Sequence, residues 1–288
     1  MGRDNLRGAA FMVLAMGAFA LEDMLYKSAT QTYPAGQALV LFGTFGLVIF
    51  VAMSVRQHEA ILHPAILTRP LLLRTVFELG GRLFFALALA LTPLASTSSI
   101  LQAAPLVVAL GGVLIFHEPV GWRRWLAMLV GFAGVLLILR PTPASFEPYS
   151  IFALLGMIGF AGRDLATRAS PPSMSTAQLG TLGFAVMVLA GVILMGSRAE
   201  QLQAPPSEAV YLLIGTSVVG VLAYGALTRA MRIGEIGFVA PFRYSRLVFA
   251  LILAVVIFEE RPDGLTLLGG AVIVASGLYS LRRQSKAG

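Results

Sequence analysis

The sequence predicts an all-α integral membrane protein whose ten transmembrane helices form two inverted five-helix repeats. Three observations predict it. Charged residues make up 12% of the 288 positions and hydrophobic residues 57%. That is about half the charge a water-facing surface of this size carries, and mean hydropathy is +0.84. Ten stretches between charge clusters and Pro/Gly breaks reach the roughly 20 apolar residues that cross a hydrocarbon core of about 30 Å. Finally, the two halves of the chain resemble one another, and each holds an odd number of those stretches.

The stretches are 8–28, 35–55, 71–91, 95–116, 123–140, 148–168, 175–196, 208–230, 236–258 and 264–282. The first follows Arg3 and Arg7 and contains Ala18-Phe19-Ala20, a pattern that also fits a cleaved leader. The repeat described below requires this helix to be retained. The third and fourth need a boundary, because residues 83–116 carry no charge. As one helix these 34 residues would be about 51 Å long, too long for a single crossing. Thr92-Pro93 supplies a break, so two spans joined by a tight turn are expected. The fifth and tenth have no internal charge and close the two halves, which predicts a peripheral or oligomer-supporting position. With the first residue on the cytoplasmic side, twelve Lys and Arg fall in or beside inner segments and four (Lys27, Arg140, Arg198, Arg261) in outer ones. This positive-inside bias predicts an inner-membrane protein with both termini cytoplasmic.

The repeat is weak but specific. LAMGAFALED at 14–23 aligns with LGMIGFAGRD at 155–164, matching Asp23 to Asp164 141 positions apart. Four residues after each aspartate stands a cation, Lys27 or Arg168. Near the end of each half, VLIFHE (113–118) aligns with VVIFEE (255–260), 142 positions apart. The halves are therefore 1–145 and 146–288. An odd number of spans per half inverts the second, an arrangement expected of secondary transporters.

Eight ionisable residues lie well inside spans: Glu22, Asp23, Glu78, Arg82, Arg163, Asp164, Arg243 and Arg246. Each would cost about 2.5–3.5 kcal/mol at the centre of a bilayer, so they should face one another or a wet cavity. Glu78 and Arg243 each lie about seven residues, or roughly 10 Å, from the inner end, and are placed to pair across the third and ninth helices. Glu78 and Arg82 form an i,i+4 pair. Arg82 and Arg246 then leave excess positive charge near mid-membrane. Either it locks helices together or a substrate carboxylate neutralises it, a group that a planar guanidinium suits. Tyr224 and Tyr244, Ser99 and Gln102 of the polar opening of the fourth helix, and Phe84 are candidate neighbours, with packing the alternative for the phenylalanine. Asp23/Lys27 and Asp164/Arg168 are matched candidates for two alternately closing gates, or else helix-end charges that snorkel.

Other chemistries lack their residues. There is no cysteine, and the three histidines (His58, His63, His117) fall in expected loops, so no metal site is expected. No phosphate-binding Gly-rich loop and no H-E-x-x-H occurs, so no cofactor is expected. The net charge of +7 is read as loop charge rather than as a nucleic-acid surface. The expected partners are a small-molecule substrate and membrane lipid, with the oligomeric state open.

The pattern LIFHEP…GFAGVLLILR in the first half and VIFEERP…VASGLYSLRR in the second resembles the drug/metabolite transporter superfamily, in its EamA-type ten-helix branch. The resemblance covers nearly the whole chain and lies nearest to bacterial amino-acid exporters, including those for aromatic amino acids. It implies a secondary transporter, not an enzyme, exporting amino acids or related small metabolites by alternating access. The alternatives are an exporter of cationic drugs, a channel or an intramembrane enzyme. By resemblance to small four-helix relatives, Glu22 is a possible proton-coupling group. One departure is that Pro105 aligns with Leu247, while Pro241 stands six residues earlier.

Overall fold

The computed structural model describes residues 2–61, 63–91, 100–141, 148–258 and 261–287. Its helices are α1 (Gly2–Ala29), α2 (Ala35–Arg56), α3 (Arg69–Leu91), α4 (Ala104–Phe116), α5 (Trp122–Leu139), α6 (Ser150–Arg168), α7 (Thr176–Ser197), α8 (Ser207–Ile233), α9 (Ser245–Phe258) and α10 (Gly264–Ala287). A helical turn, Ile236–Val239, and a 3-10 segment, Ala240–Tyr244, lead into α9. No strand occurs among the described residues. This is the form that lipid demands, because a helix satisfies its own backbone where no water can.

Among the described residues, eight spans are long and apolar enough to cross a membrane, one of them, which includes α9, running from Ile236 to Ile257. The other two are α3, which carries Arg74, Glu78 and Arg82 in its middle, and the shorter α4. Pro34 and Pro206 immediately precede α2 and α8, where a proline opposes no intrahelical bond. A capping box opens α7: Ser175 Oγ accepts from Gln178 N at 3.1 Å and Gln178 Oε1 from Ser175 N at 3.0 Å. Pro105 lies in the first turn of α4 and Pro241 in the 3-10 segment before α9. Each proline starts a helix rather than bending one.

The helices pack in antiparallel pairs: α1 with α8, α3 with α6, α2 with α7 and α5 with α10. Exchanging the halves turns the first pair into the second and leaves the other two unchanged. This is the contact pattern of two inverted five-helix repeats. The α2/α7 pair repeats it in atomic detail. At one end, the Glu200 carboxylate accepts from Gly36 N (3.0 Å) and Gln37 N (3.2 Å), while Gln37 Nε2 donates to Gln201 O (2.8 Å). At the other, Ser175 Oγ donates to Glu59, and Gln178 Nε2 to Ala60 O (2.8 Å). Gln37/Gln178 and Glu59/Glu200 are each 141 positions apart, the offset of Asp23/Asp164. Between the clasps, Phe42, Phe50, Phe184 and Tyr224 interlock.

The α5/α10 pair stands to one side. Ser276 Oγ donates to Ala127 O (2.7 Å), and Arg140 reaches Asp263. The Arg140 hydrogen bond, then those from Thr266, hold the exposed Asp263 carboxyl below the usual carboxylate range.

Candidate functional site

Glycine determines where the charges meet. A Cβ on Gly159 of α6 would stand 2.5 Å from Gly81 Cα of α3, so the two backbones touch at this crossing. Glu78 and Arg82 flank Gly81 on one helix, and Arg163 and Asp164 follow Gly159 on the other. Contact at the glycines brings all four side chains together.

Glu78 is the hub and is fully buried. Its carboxylate meets Arg74 (3.5 Å), Arg82 (3.3 Å) and Arg163 (3.8 Å). Tyr224 Oη, from α8, donates to Glu78 Oε2 at 2.9 Å. Arg74, also fully buried, donates from Nε to Thr167 Oγ1 (3.0 Å) and from Nη2 to Leu179 O (3.2 Å) and the Tyr224 hydroxyl. This single side chain therefore joins α3, α6, α7 and α8. The tyrosine reaches in because α7 carries Gly183 at that point: a Cβ there would lie 2.0 Å from Tyr224 Oη. The chain of charges continues from Arg163, whose Nη2 lies 2.8 Å from Asp164 Oδ1, to Arg243, which pairs with the other Asp164 oxygen. Four guanidiniums thus share two carboxylates. Arg82 Nε is buried with no acceptor among the described residues.

A smaller cradle lies across from this network. Arg246 of α9 donates from Nε to Asp23 Oδ2 (3.0 Å), and its guanidinium sits 5.2 Å from the Phe19 ring centroid. On the other repeat, Arg163 lies 5.3 Å over Phe160 and bonds to Asp164. Phe19-x-x-x-Asp23 and Phe160-x-x-x-Asp164 thus each set a ring and a carboxylate one turn apart around a guanidinium, which comes from α9 in the first case and from α6 itself in the second. Asp23 is 54% exposed while Glu78 is 0%. Leu14, Gly17 and Leu21 line the outer apolar face of α1. Asp23 comes two residues after Leu21, about 200° around the helix, so its exposure is toward the interior. Glu22 forms no hydrogen bond or ion pair among the described residues. Its carboxylate lies against Gly220 of α8, and Arg246, Arg82 and Arg163 all act on it electrostatically.

The end where α1 begins is shut. Met12, Met16, Val108, Leu165, Met231 and Ile236 fill it, and below them polar groups tie α1, the loop after α4, α5, α6, the end of α8 and the turn at Ile236. Glu118 accepts from Arg168 Nη2 (3.1 Å) and from Ile236 N (2.7 Å). Arg168 Nη1 also donates to the Met231, Arg232 and Gly234 carbonyls that end α8, the shortest at 2.9 Å. Arg124 pairs with Glu235 (2.7 Å), whose own N–H donates to Asn5 Oδ1 (2.8 Å).

Several sequence expectations are corrected. Glu78 does not pair with Arg243: the α3/α6 crossing gives it Arg163, and Arg243 meets Asp164. Asp23 takes Arg246 rather than Lys27, and Asp164 takes Arg163 and Arg243 rather than Arg168. Lys27 and Arg168 lie near helix ends; Arg168 closes on Glu118, and Lys27 has no ion pair among the described residues. Tyr244 faces away from the arginines on either side of it, packed with Val135 and Ile273 between α5 and α10. Phe84 stacks on Phe152 at 6.3 Å within the α3/α6 contact. Gln102 is half-buried in the turn before α4; Ser99 lies outside the described residues. Arg74 was placed in a span by the sequence but not among its inner charges. Its signal was there to read, since Arg74, Glu78 and Arg82 recur at steps of four on one helical face.

The model of the EamA-like transporter family matches residues 6–140 and again residues 148–282. The S-adenosylmethionine uptake transporter of Rickettsia prowazekii (strain Madrid E) is 26% identical, the match covering 98% of this chain and 94% of that protein. The riboflavin transporter of Vibrio cholerae serotype O1 is 26% identical over 98% of this chain and 95% of its own. The pseudopaline exporter of Pseudomonas aeruginosa (strain UCBPP-PA14) is 28% identical over 93% of this chain and 94% of its own. One solved crystal structure, 20% identical, superposes with a TM-score of 0.80 over 96% of this chain and 97% of that one, a likeness of fold.

Proposed function

This chain belongs to the EamA-like transporter family, and on that premise we propose that it exports amino acids or closely related small metabolites across the inner membrane by alternating access. It is a membrane transporter of small metabolites and not an enzyme; the substrate and the direction are our reading. One observation carries it: the buried network sets four guanidiniums against two carboxylates, with Arg82 Nε still free to donate. A substrate carboxylate balances that excess with charge-assisted hydrogen bonds. Glu22, unpartnered across the same space, suits the ammonium end of the same molecule. S-adenosylmethionine carries such an amino-acid end and riboflavin has no carboxylate, so the reading rests on the arginines of this chain rather than on the likeness. A carrier of organic cations requires an excess of acid, the reverse of what surrounds Glu78.

With both termini cytoplasmic, as the Lys and Arg distribution supports, the sealed end is the inner one and the cradle at Asp23 opens outward. Arg168 with Glu118 is then the closed inner gate, and Asp23 and Lys27 stand toward the outer side.

Counterflow into liposomes across a panel of amino acids, nucleosides and organic cations tests the substrate. Amino acids are expected to exchange, and Arg82→Gln to raise the half-saturation concentration about tenfold or more, the cost of one charge-assisted hydrogen bond. Exchange of organic cations alone would remove the reading. For coupling, Glu22→Gln is expected to raise the half-saturation concentration, to keep counterflow at saturating substrate, and to abolish any acceleration by an imposed pH gradient. If acceleration persists in that variant, the coupling group lies elsewhere.

A further inference from the structure

We propose that the membrane face formed by α1, α8, α9 and α10 holds a phospholipid with an anionic headgroup, at a site separate from the charged interior. The face carries a groove of about 710 Å³, with Leu6, Val13 and Leu21 of α1, Leu222 of α8, Phe249 of α9 and Leu281 of α10 among its walls. Every one of these side chains is apolar. From Leu6 to Leu21 the helix rises about 22 Å, the extended length of one acyl chain.

What selects the occupant is the charge at one end. Arg3 and Arg7 lie on the same face of α1 as Leu6 and Ala10, one turn beyond the groove's first wall. Arg229 of α8 places its guanidinium 5.6 Å from the ring centroid of Phe11 on α1. Arg282 follows the wall residue Leu281. All four are exposed, and none forms an ion pair among the described residues. Asp4, next to Arg3 and three residues before Arg7, forms no ion pair with either. Four unneutralised guanidiniums from three helices therefore lie toward one end of an acyl-length trough. Burying the tail gains little, since bilayer and groove are equally apolar. Selectivity comes from the headgroup's net negative charge: its phosphate accepts from several guanidiniums at once, and an anionic headgroup adds no cation of its own to oppose them.

The test uses the purified full chain in detergent mixed with equal amounts of phosphatidylglycerol and phosphatidylcholine, with retained lipid read by native mass spectrometry. Retention of phosphatidylglycerol is expected to exceed that of phosphatidylcholine about tenfold. Arg229→Gln and the combined Arg3→Gln/Arg7→Gln variant should each lower that preference. Gly17→Leu, which fills the trough floor beside Phe249, should lose the lipid with every arginine in place. Arg123→Gln, an exposed arginine beside Trp122 on α5, should leave the preference unchanged. Equal retention of both lipids by the unmodified protein overturns the proposal without recourse to any variant. So does a loss in Arg123→Gln as large as in Arg229→Gln, which would mark a diffuse attraction to basic loops.

Discussion

Replacing Glu78 by alanine is expected to destabilise the protein by about 3–5 kcal/mol, the cost of removing one partner from a buried ion cluster. Glu78 is fully buried and is the only carboxylate that Arg74 and Arg82 meet among the described residues. Without it, three guanidiniums face one another with no carboxylate between them, and the Tyr224 hydroxyl loses its acceptor. The apparent melting temperature of the purified protein should fall by about 6–15 °C. Glu78→Gln, which still accepts from Tyr224 but carries no charge, should fall between the two. Removing acid and base together in Glu78→Met/Arg74→Met should recover part of the loss, because an apolar pair leaves fewer unpaired charges. An alanine variant that melts within about 2 °C of the parent would show that the cluster adds nothing net to stability.

The second large effect belongs to Gly159. Valine there would place its Cβ 2.5 Å from Gly81 Cα and 2.9 Å from Phe77 O, both backbone atoms. Backbone cannot rotate away as a side chain would, so α3 and α6 must separate. Overpacking of this kind costs about 1–3 kcal/mol or more. The functional loss should be larger than the loss of stability. Glu78, Arg82, Arg163 and Asp164 hold their geometry only through that crossing, and a displacement near 1 Å at such a site can lower rates about a hundredfold. Counterflow should therefore fall by at least about tenfold in protein that still purifies as a single species. Gly196→Ala is the control, since nothing lies within 4 Å of the added carbon and alanine favours the helix by about 1 kcal/mol. Equal transport by Gly159→Val and Gly196→Ala would show that the glycine contact does not set the site.

How much of the site the sequence disclosed differs residue by residue. Glu78 and Arg82 were legible as a pair because helical periodicity alone puts i and i+4 on one face. The Asp23/Asp164 match was legible, but its partners were misassigned. The sequence offered the cation four residues later, while the fold supplied one from another helix and used the phenylalanine four residues earlier. Glu118 was visible as a repeat-matched acid, yet its contacts with Arg168 and the start of the Ile236 turn join residues 50 and 118 positions apart, beyond any local pattern. The Glu59/Glu200 and Gln37/Gln178 clasps share the repeat offset and went unread, because the glutamates lie in loops and the glutamines in the first turns of α2 and α7, where helical periodicity carries no signal.

The sequence by itself determined that this chain lives in lipid, crosses it about ten times and does so as two inverted halves. Burial of a backbone in hydrocarbon allows few alternatives, and apolar length and charge placement report it directly. Only the tertiary structure decided which arginine meets which acid, which end of the molecule is sealed and which aromatic residues face the charges. Those outcomes depend on which helices cross and at what depth, here through contacts such as Gly81 on Gly159. A linear repeat preserves spacing within a helix and is silent about the rotation and neighbour of that helix.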